Sequence, residues 1–235
     1  MAKRPIFVSI DQKPFVKTVE AEFQWHGGFA VSQQQKNILA LHTAFKAVCP
    51  EKKVLEISSR SMQPLGVALS AFNLKKWVPQ LSKSVPVECV YQGGKVFEQG
   101  GPYTELYGVS PKDAKRDGRF KTSGRLCGFF FDGKSFPITP VTAFYDWIYI
   151  NAISENEGLA SELLKYDAFT DIVFNPQKGI NCQAIAAAIF CGLARKGLLD
   201  AAKDLDEFIK IYLRNRNLKW RCKTWEFIVA FQKRQ

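Results

Sequence analysis

The chain reads as a single, mainly α-helical α+β domain with a small β-element, and three observations predict this. Its 235 residues are 46% apolar and 13% aromatic, enough to fill one sizeable core. Extended, period-two stretches are confined to the N-terminal quarter and to one aromatic-rich region before residue 140. Beyond Pro140 the hydrophobic spacing is helical or irregular, with no internal repeat, low-complexity tract or linker to mark a second domain.

Ile6 to Ile10 and Val16 to Trp25 are expected as strands. In the second, Val19, Ala21, Phe23 and Trp25 alternate with Glu20, Glu22 and Gln24 as a half-buried strand requires. The turn Trp25-His26-Gly27-Gly28-Phe29 leads into a helix from about Ser32, with Ile38, Leu41 and Phe45 on one face. Lys53 to Ser58 is expected as a short strand. Pro86 to Glu98 has a helical period, with Ser84 as its cap and Pro86 in its first turn. Ser110-Pro111-Lys112-Asp113 starts a short helix: a cap hydroxyl, a proline at the first helical position, and a carboxylate three residues after the cap. Asp132-Gly133 between two aromatic-rich runs is a two-residue hairpin signature. The remaining helices are expected at Ala143 to Ile153, Glu157 to Tyr166, Asn181 to Lys196 and Leu199 to Leu213, the third stopped by Gly197.

The formal charge is +11, and it is unevenly spread: from Lys210 to the end, eight basic residues face only Glu226. Such a surface favours a polyanion, nucleic acid above all, with an affinity that salt weakens. The six cysteines lie far apart with no CxxC pair, so reduced thiols are expected. Ala184 to Ala194, the longest nearly apolar run, is too short for a bilayer, and the N-terminus lacks a signal-peptide core. A cytoplasmic protein with no membrane partner is the expectation. The two histidines, His26 and His42, have no metal-ligand spacing, and no metal is expected. No dinucleotide fingerprint, P-loop or GxSxG elbow occurs, so those cofactor and hydrolase classes fall.

Chemistry concentrates in Pro86 to Glu98. On a continuous helix at 3.6 residues per turn, Glu88, Gln92 and Lys95 fall within an arc of about 60°, opposite Val87, Val90, Tyr91, Gly94 and Phe97. A carboxylate and an amine within reach of one another, beside an amide, are parts that break a glycosidic or imine-like bond. The same stripe also suits a plain solvated face. Gly93 and Gly94 each cost a helix about 1 kcal/mol, a penalty that accompanies close approach of a ligand or of another backbone.

Three ordered blocks, Leu69 to Asn73 (LSAFN), Pro86 to Phe97 (PVECVYQGGKVF) and Ser110 to Arg119 (SPKDAKRDGR), resemble the signature of NADAR domains in wording and spacing. Further pieces look like the NADAR antitoxins encoded with DarT-type DNA ADP-ribosyltransferase toxins: Trp25 to Phe29, Gly101-Pro102-Tyr103, Thr142 to Trp147, and Phe169 to Ala184. The similarity covers about residues 5 to 213. It places a NADAR-like domain over residues 1–213, with a basic C-terminal segment, 214–235, packed on the same domain.

The resemblance implies an ADP-ribosyl glycohydrolase that removes ADP-ribose from the amino group of guanine in DNA. It would serve as an antitoxin or, on a phage genome, as a counter-defence factor. ADP-ribosylated DNA is then the substrate, ADP-ribose the product, a DarT-type toxin the cognate partner, and no cofactor is required. Glu88 matches the family glutamate, for general acid/base work. Lys95 matches the family lysine, as a Schiff-base nucleophile or an electrostatic contact. Around them the expected substrate contacts are Asn73 and Gln92 on the ribose or leaving base, and Arg60 on the diphosphate. Tyr145, Asp146 and Trp147 would hold the adenosine, and Lys115 and Arg119 the phosphate, although Phe144, Trp147 and Ile148 also have core spacing. Ala71 and Asn73, where many members have asparagine and serine, and Gly93-Gly94 depart from the family pattern.

Two alternatives stay open at this level: an N-glycosidase acting on a small nucleotide-like metabolite, and a non-catalytic module that binds ADP-ribose or the toxin. If the basic segment supplies DNA affinity, deleting residues 214–235 flattens the salt dependence of DNA binding. An unchanged slope of log affinity against log salt, measured by fluorescence anisotropy, contradicts that role.

Overall fold

The computed structural model describes residues 1–175 and 181–213; the basic segment 214–235 lies outside the described residues. In chain order the elements are β1 (Ala2–Ser9), β2 (Val16–Phe23), α1 (Val31–Val48), β3 (Val54–Glu56), α2 (Pro64–Ala68), β4 (Lys75–Val78), β5 (Lys83–Pro86), α3 (Val87–Gly93) and β6 (Lys95–Phe97). They are followed by α4 (Pro111–Lys115), β7 (Leu126–Phe131), β8 (Lys134–Phe136), α5 (Ala143–Ser154), α6 (Glu157–Leu163), β9 (Ala168–Thr170), α7 (Gln183–Arg195), α8 (Leu199–Lys203) and α9 (Leu205–Leu213). The mixed α+β class is as the sequence predicts.

The main sheet runs β2-β1-β9-β3, antiparallel except for the parallel β9–β3 pair. It is covered on both faces. Ile6, Val8, Val54 and Ala168 pack with Ile38, Leu41 and Phe45 of α1, whereas Phe7, Leu55 and Phe169 point into the larger core containing α5 and α7. Double burial explains why these strands are continuous apolar triplets and pairs, while the edge strand β2 keeps its alternation. It also explains β9, a strand in a region read as helical or irregular: three residues carry no period, and pairing to both neighbours decides the conformation.

In α5, Ala143 through Ile153 are all buried, so this helix is the axis of the larger core; it packs on α7 and α3. Ser110 caps α4 by accepting the Asp113 N–H, as expected. Asp132 and Gly133, with φ of 49° and 72°, make the tight β7–β8 turn. Asn37, buried on α1, exchanges two hydrogen bonds with the His26 backbone and so fixes the Trp25–Phe29 turn. The long C-terminal helix divides at Asp204 into α8 and α9. Five free thiols stand among the described residues, and no helix there is long and apolar enough to cross a membrane.

The central expected helix is corrected. Ser84 belongs to strand β5 and caps nothing, Pro86 occupies the N-cap, and the helix ends at Gly93. Lys95 begins strand β6, paired to Phe129 of β7. The glycines serve close packing: a Cβ on Gly93 would stand 2.5 Å from the Tyr107 ring, and one on Gly94 2.9 Å from Phe144 and 3.0 Å from the Phe130 carbonyl. Gly93→Ala is therefore expected to destabilise the fold by about 1–3 kcal/mol through overpacking. Gly27→Ala, with nothing within 4 Å of the added carbon, should leave the urea midpoint nearly unmoved. Equal midpoints for both variants contradict the packing argument.

Candidate functional site

The site forms where α3 begins. Two of its leading N–H groups are taken by the preceding loop, Val87 by the Leu74 carbonyl and Glu88 by the Ala71 carbonyl, each at 2.9 Å. The loop thus satisfies helix-end donors that have no partner within the helix. It also fixes Glu88 in the first turn, where the helix dipole favours a carboxylate. Glu88 is only 6% exposed. Its Oε1 accepts the Gln92 Nε2–H at 2.9 Å, one turn along the helix, and lies 3.8 Å from the Lys115 ammonium brought in by α4.

Glu88, Gln92 and Lys115 line one cavity of about 650 Å³, whose remaining wall includes Phe72, Tyr91, Tyr145, Asp171, Asn181 and Gln183. This volume suits a nucleotide-sized ligand. Gln92 Oε1 is enclosed without a hydrogen-bond partner among the described residues, an acceptor facing a missing donor. Lys115 lies over the Phe72 ring at 5.5 Å and keeps its side chain 59% exposed, so its charge is available at the cavity.

Lys95 flanks this cavity without lining it. Its ammonium lies 5.1 Å from the centre of the Tyr91 ring and 4.5 Å from that of Phe120, a cation held between two aromatic faces. Burial lowers its pKa to about 8; the Glu88 carboxylate opposes that shift and the Lys115 ammonium adds to it. Near neutral pH a fraction of Lys95 is therefore free amine. The pair is expected on one helix face; instead Glu88 stands on a helix and Lys95 on the strand that follows it, within electrostatic range of each other.

Not all the expected contacts come together. Of three successive α5 residues, about 100° apart around the helix, only Tyr145 reaches the cavity wall. Trp147 packs against Phe131 and Phe136 and is core, and Asp146 is buried within α5 outside the lining. Asn73 donates to the Val67 carbonyl and borders a separate groove with Lys75 and Trp77. Arg60 lies outside the lining, next to Ser58 and Ser59, which belong to it. Arg119 is held by Asp117 and Glu105 over the Tyr103 ring and is not part of the cavity lining.

Sequence reasoning had assigned no role to Asp171, Asn181 or Gln183. The segment that bears them was visible only as a family-like stretch between Phe169 and Ala184, with no period and no charge pattern to single out a residue. Tyr91, expected on the apolar side of the helix, also lines the cavity. Among the described residues no group of three His, Cys, Asp or Glu side chains converges on a metal position.

The Lys95 environment makes a signed prediction. In carbon-13 NMR of labelled lysine side chains, Lys95 is expected to titrate near pH 8. Lys115→Met removes a repelling cation and raises that midpoint; Glu88→Gln removes an attracting anion and lowers it. A Lys95 midpoint near 10.4, that of a free lysine, contradicts the described environment.

A family model of DarT1-associated NADAR antitoxins matches residues 2–220. No curated protein matches the sequence. The match spans nearly the whole chain and both walls of the cavity, and the protein accordingly belongs to the DarT1-associated NADAR antitoxin family.

Proposed function

We propose that this antitoxin is a glycohydrolase that removes ADP-ribose from the exocyclic amino group of guanine in DNA, reversing the modification made by a DarT-type toxin. One observation carries the reading: a buried carboxylate, Glu88, lines a nucleotide-sized cavity, and an amine with a pKa near 8, Lys95, interacts electrostatically with Glu88 from against the ring of Tyr91, another lining residue.

The bond to be broken joins C1″ of the distal ribose to the guanine nitrogen. Opening the sugar ring places an iminium between C1″ and that nitrogen, and the Glu88 carboxylate stabilises the developing positive charge. The free amine of Lys95 adds to C1″; the guanine nitrogen takes a proton and leaves, and a Lys95 Schiff base remains. Water hydrolyses it, returning the amine and releasing ADP-ribose. Gln92 Oε1 accepts a ribose hydroxyl, Lys115 meets the diphosphate, and Tyr91 and Tyr145 give the cavity aromatic walls. The basic balance of the chain favours a DNA-borne substrate over a free metabolite.

The test is a guanine-ADP-ribosylated oligonucleotide incubated with purified protein, scored for free ADP-ribose and restored DNA. Glu88→Gln is expected to slow single-turnover release by about 10²–10⁴-fold while the protein stays folded. Borohydride should join ADP-ribose covalently to wild-type protein and not to Lys95→Ala. No release at stoichiometric protein rejects the hydrolase reading. Release with equal trapping in both proteins rejects Lys95 as the nucleophile.

A further inference from the structure

At the wall of the same cavity lies a pair of interacting carboxyls, Glu56 and Asp171, that the proposed reaction has not used. Glu56, at the end of β3, is 2% exposed. Its Oε2 accepts the Thr170 hydroxyl at 2.6 Å and its Oε1 the Ile172 N–H at 2.9 Å. Thr170 spends its single proton on Glu56, so at 2.8 Å it receives the Nε2–H of His42. His42, its pKa lowered to about 4 by burial and then by Lys46, is a neutral donor here. Every one of these donors favours an ionised Glu56.

Asp171 is the neighbour that reaches the cavity. Its Oδ1 accepts two backbone N–H groups, from Val173 and Phe174 at 3.1 Å, which fill that oxygen. Among the described residues its Oδ2 accepts one N–H, from Gln183 at 3.0 Å, leaving room for a proton on that oxygen. The two enclosed carboxyls interact, and like charges disfavour ionising both. Burial raises the Glu56 carboxyl too, but Thr170, Ser58 and the Ile172 N–H oppose that rise, so Glu56 is the better supplied to carry the charge and Asp171 the better placed to keep a proton. Burial first, and the Glu56 charge second, raise Asp171 to about 7. The other ionisable groups around it are Tyr145, Tyr149 and Asp146 from α5, Cys182 ahead of α7, and Glu88 with Lys115 across the cavity. The two tyrosines and the thiol are neutral at pH 7, because burial raises each well above its usual range.

Building on the glycohydrolase reading, we infer that Asp171 is the general acid of the cavity: its Oδ2 proton passes to the ribose ring oxygen O4″ as the C1″–O4″ bond breaks, with Glu56 as the positioning residue that keeps the proton there. The bond electrons go to O4″, which becomes a hydroxyl. The guanine nitrogen lone pair forms the iminium to C1″, and Asp171 is left as carboxylate. When the released sugar closes again, the same proton returns. Glu88 and Asp171 thus divide the work, Glu88 facing the developing positive charge and Asp171 supplying the proton.

Two measurements on the full chain test this and separate it from the reading beneath it. In carbon-13 NMR of aspartate carboxyls, without substrate, one resonance should titrate near pH 7, vanish in Asp171→Asn, and move to lower pH in Glu56→Gln while staying above the free-aspartate range, because burial, the larger cause, is untouched. An Asp171 that already titrates below about 5 in the wild type overturns the inference. In single turnover on guanine-ADP-ribosylated oligonucleotide, Asp171→Asn should slow release by about 10²–10⁴-fold with its ADP-ribose affinity retained. Release at the wild-type rate overturns the catalytic role. If Asp171→Asn does not fold, the wild-type and Glu56→Gln titrations still decide. Wild-type protein that shows the resonance near pH 7 but frees no ADP-ribose overturns the glycohydrolase reading and the catalytic role with it, and leaves the protonated carboxyl standing.

Discussion

The side-chain amide of Gln183 is the constraint on which the cavity depends. Its Oε1 accepts the Ala71 N–H at 2.7 Å, and its Nε2 donates to the Ile57 carbonyl at 2.7 Å and to Asp171. The Ala71 carbonyl in turn accepts the Glu88 N–H. One amide at the start of α7 thereby joins the end of β3, the loop before β4, the start of α3 and the segment after β9. Each of these groups, left without a partner when buried, costs about 1–3 kcal/mol. Carboxyls 83 positions apart in the chain, at Glu88 and Asp171, share a cavity, and this network ties together the backbone segments that carry them.

Charge follows from the same arrangement. Glu88 is a buried carboxyl with two lysines of different character in electrostatic range. Lys115 is open to solvent and suited to a diphosphate, whereas Lys95 is enclosed by aromatic faces and partly deprotonated near neutral pH. A diphosphate sugar entering the cavity would find its phosphates drawn to the first and its sugar carbon near the second. The difference comes from burial, not residue type, because a lysine's pKa moves readily once it is desolvated.

What was legible in the chain was whatever local chemistry decides. The amphipathic period of α1, the Ser110 cap and the Asp132-Gly133 turn were all readable, because each depends on residues within a few positions of one another. Glu88, Gln92, Lys115 and Tyr145 were named from ordered motifs and all four line the cavity. The failures are long-range. A helical period carried Lys95 past Gly93, but pairing to Phe129 and the Tyr107 ring pressed against Gly93 end the helix there. Strand β9 is too short to show a period. Asp171 and Gln183 acquire their roles from partners in β3 and the loop before β4, contacts that no spacing within residues 169–184 encodes. Trp147, for which core spacing stands beside the adenosine contact in the sequence, is carried into the core by the turn of the helix.

The most direct test is a crystal structure of the Glu88→Gln protein with ADP-ribose bound. The distal ribose is expected in the cavity between residue 88 and Lys95, with C1″ facing the Lys95 amine and the diphosphate on Lys115. A distal ribose outside that cavity, or turned so that C1″ points away from both side chains, would contradict the assignment of this cavity as the site of glycosidic bond cleavage.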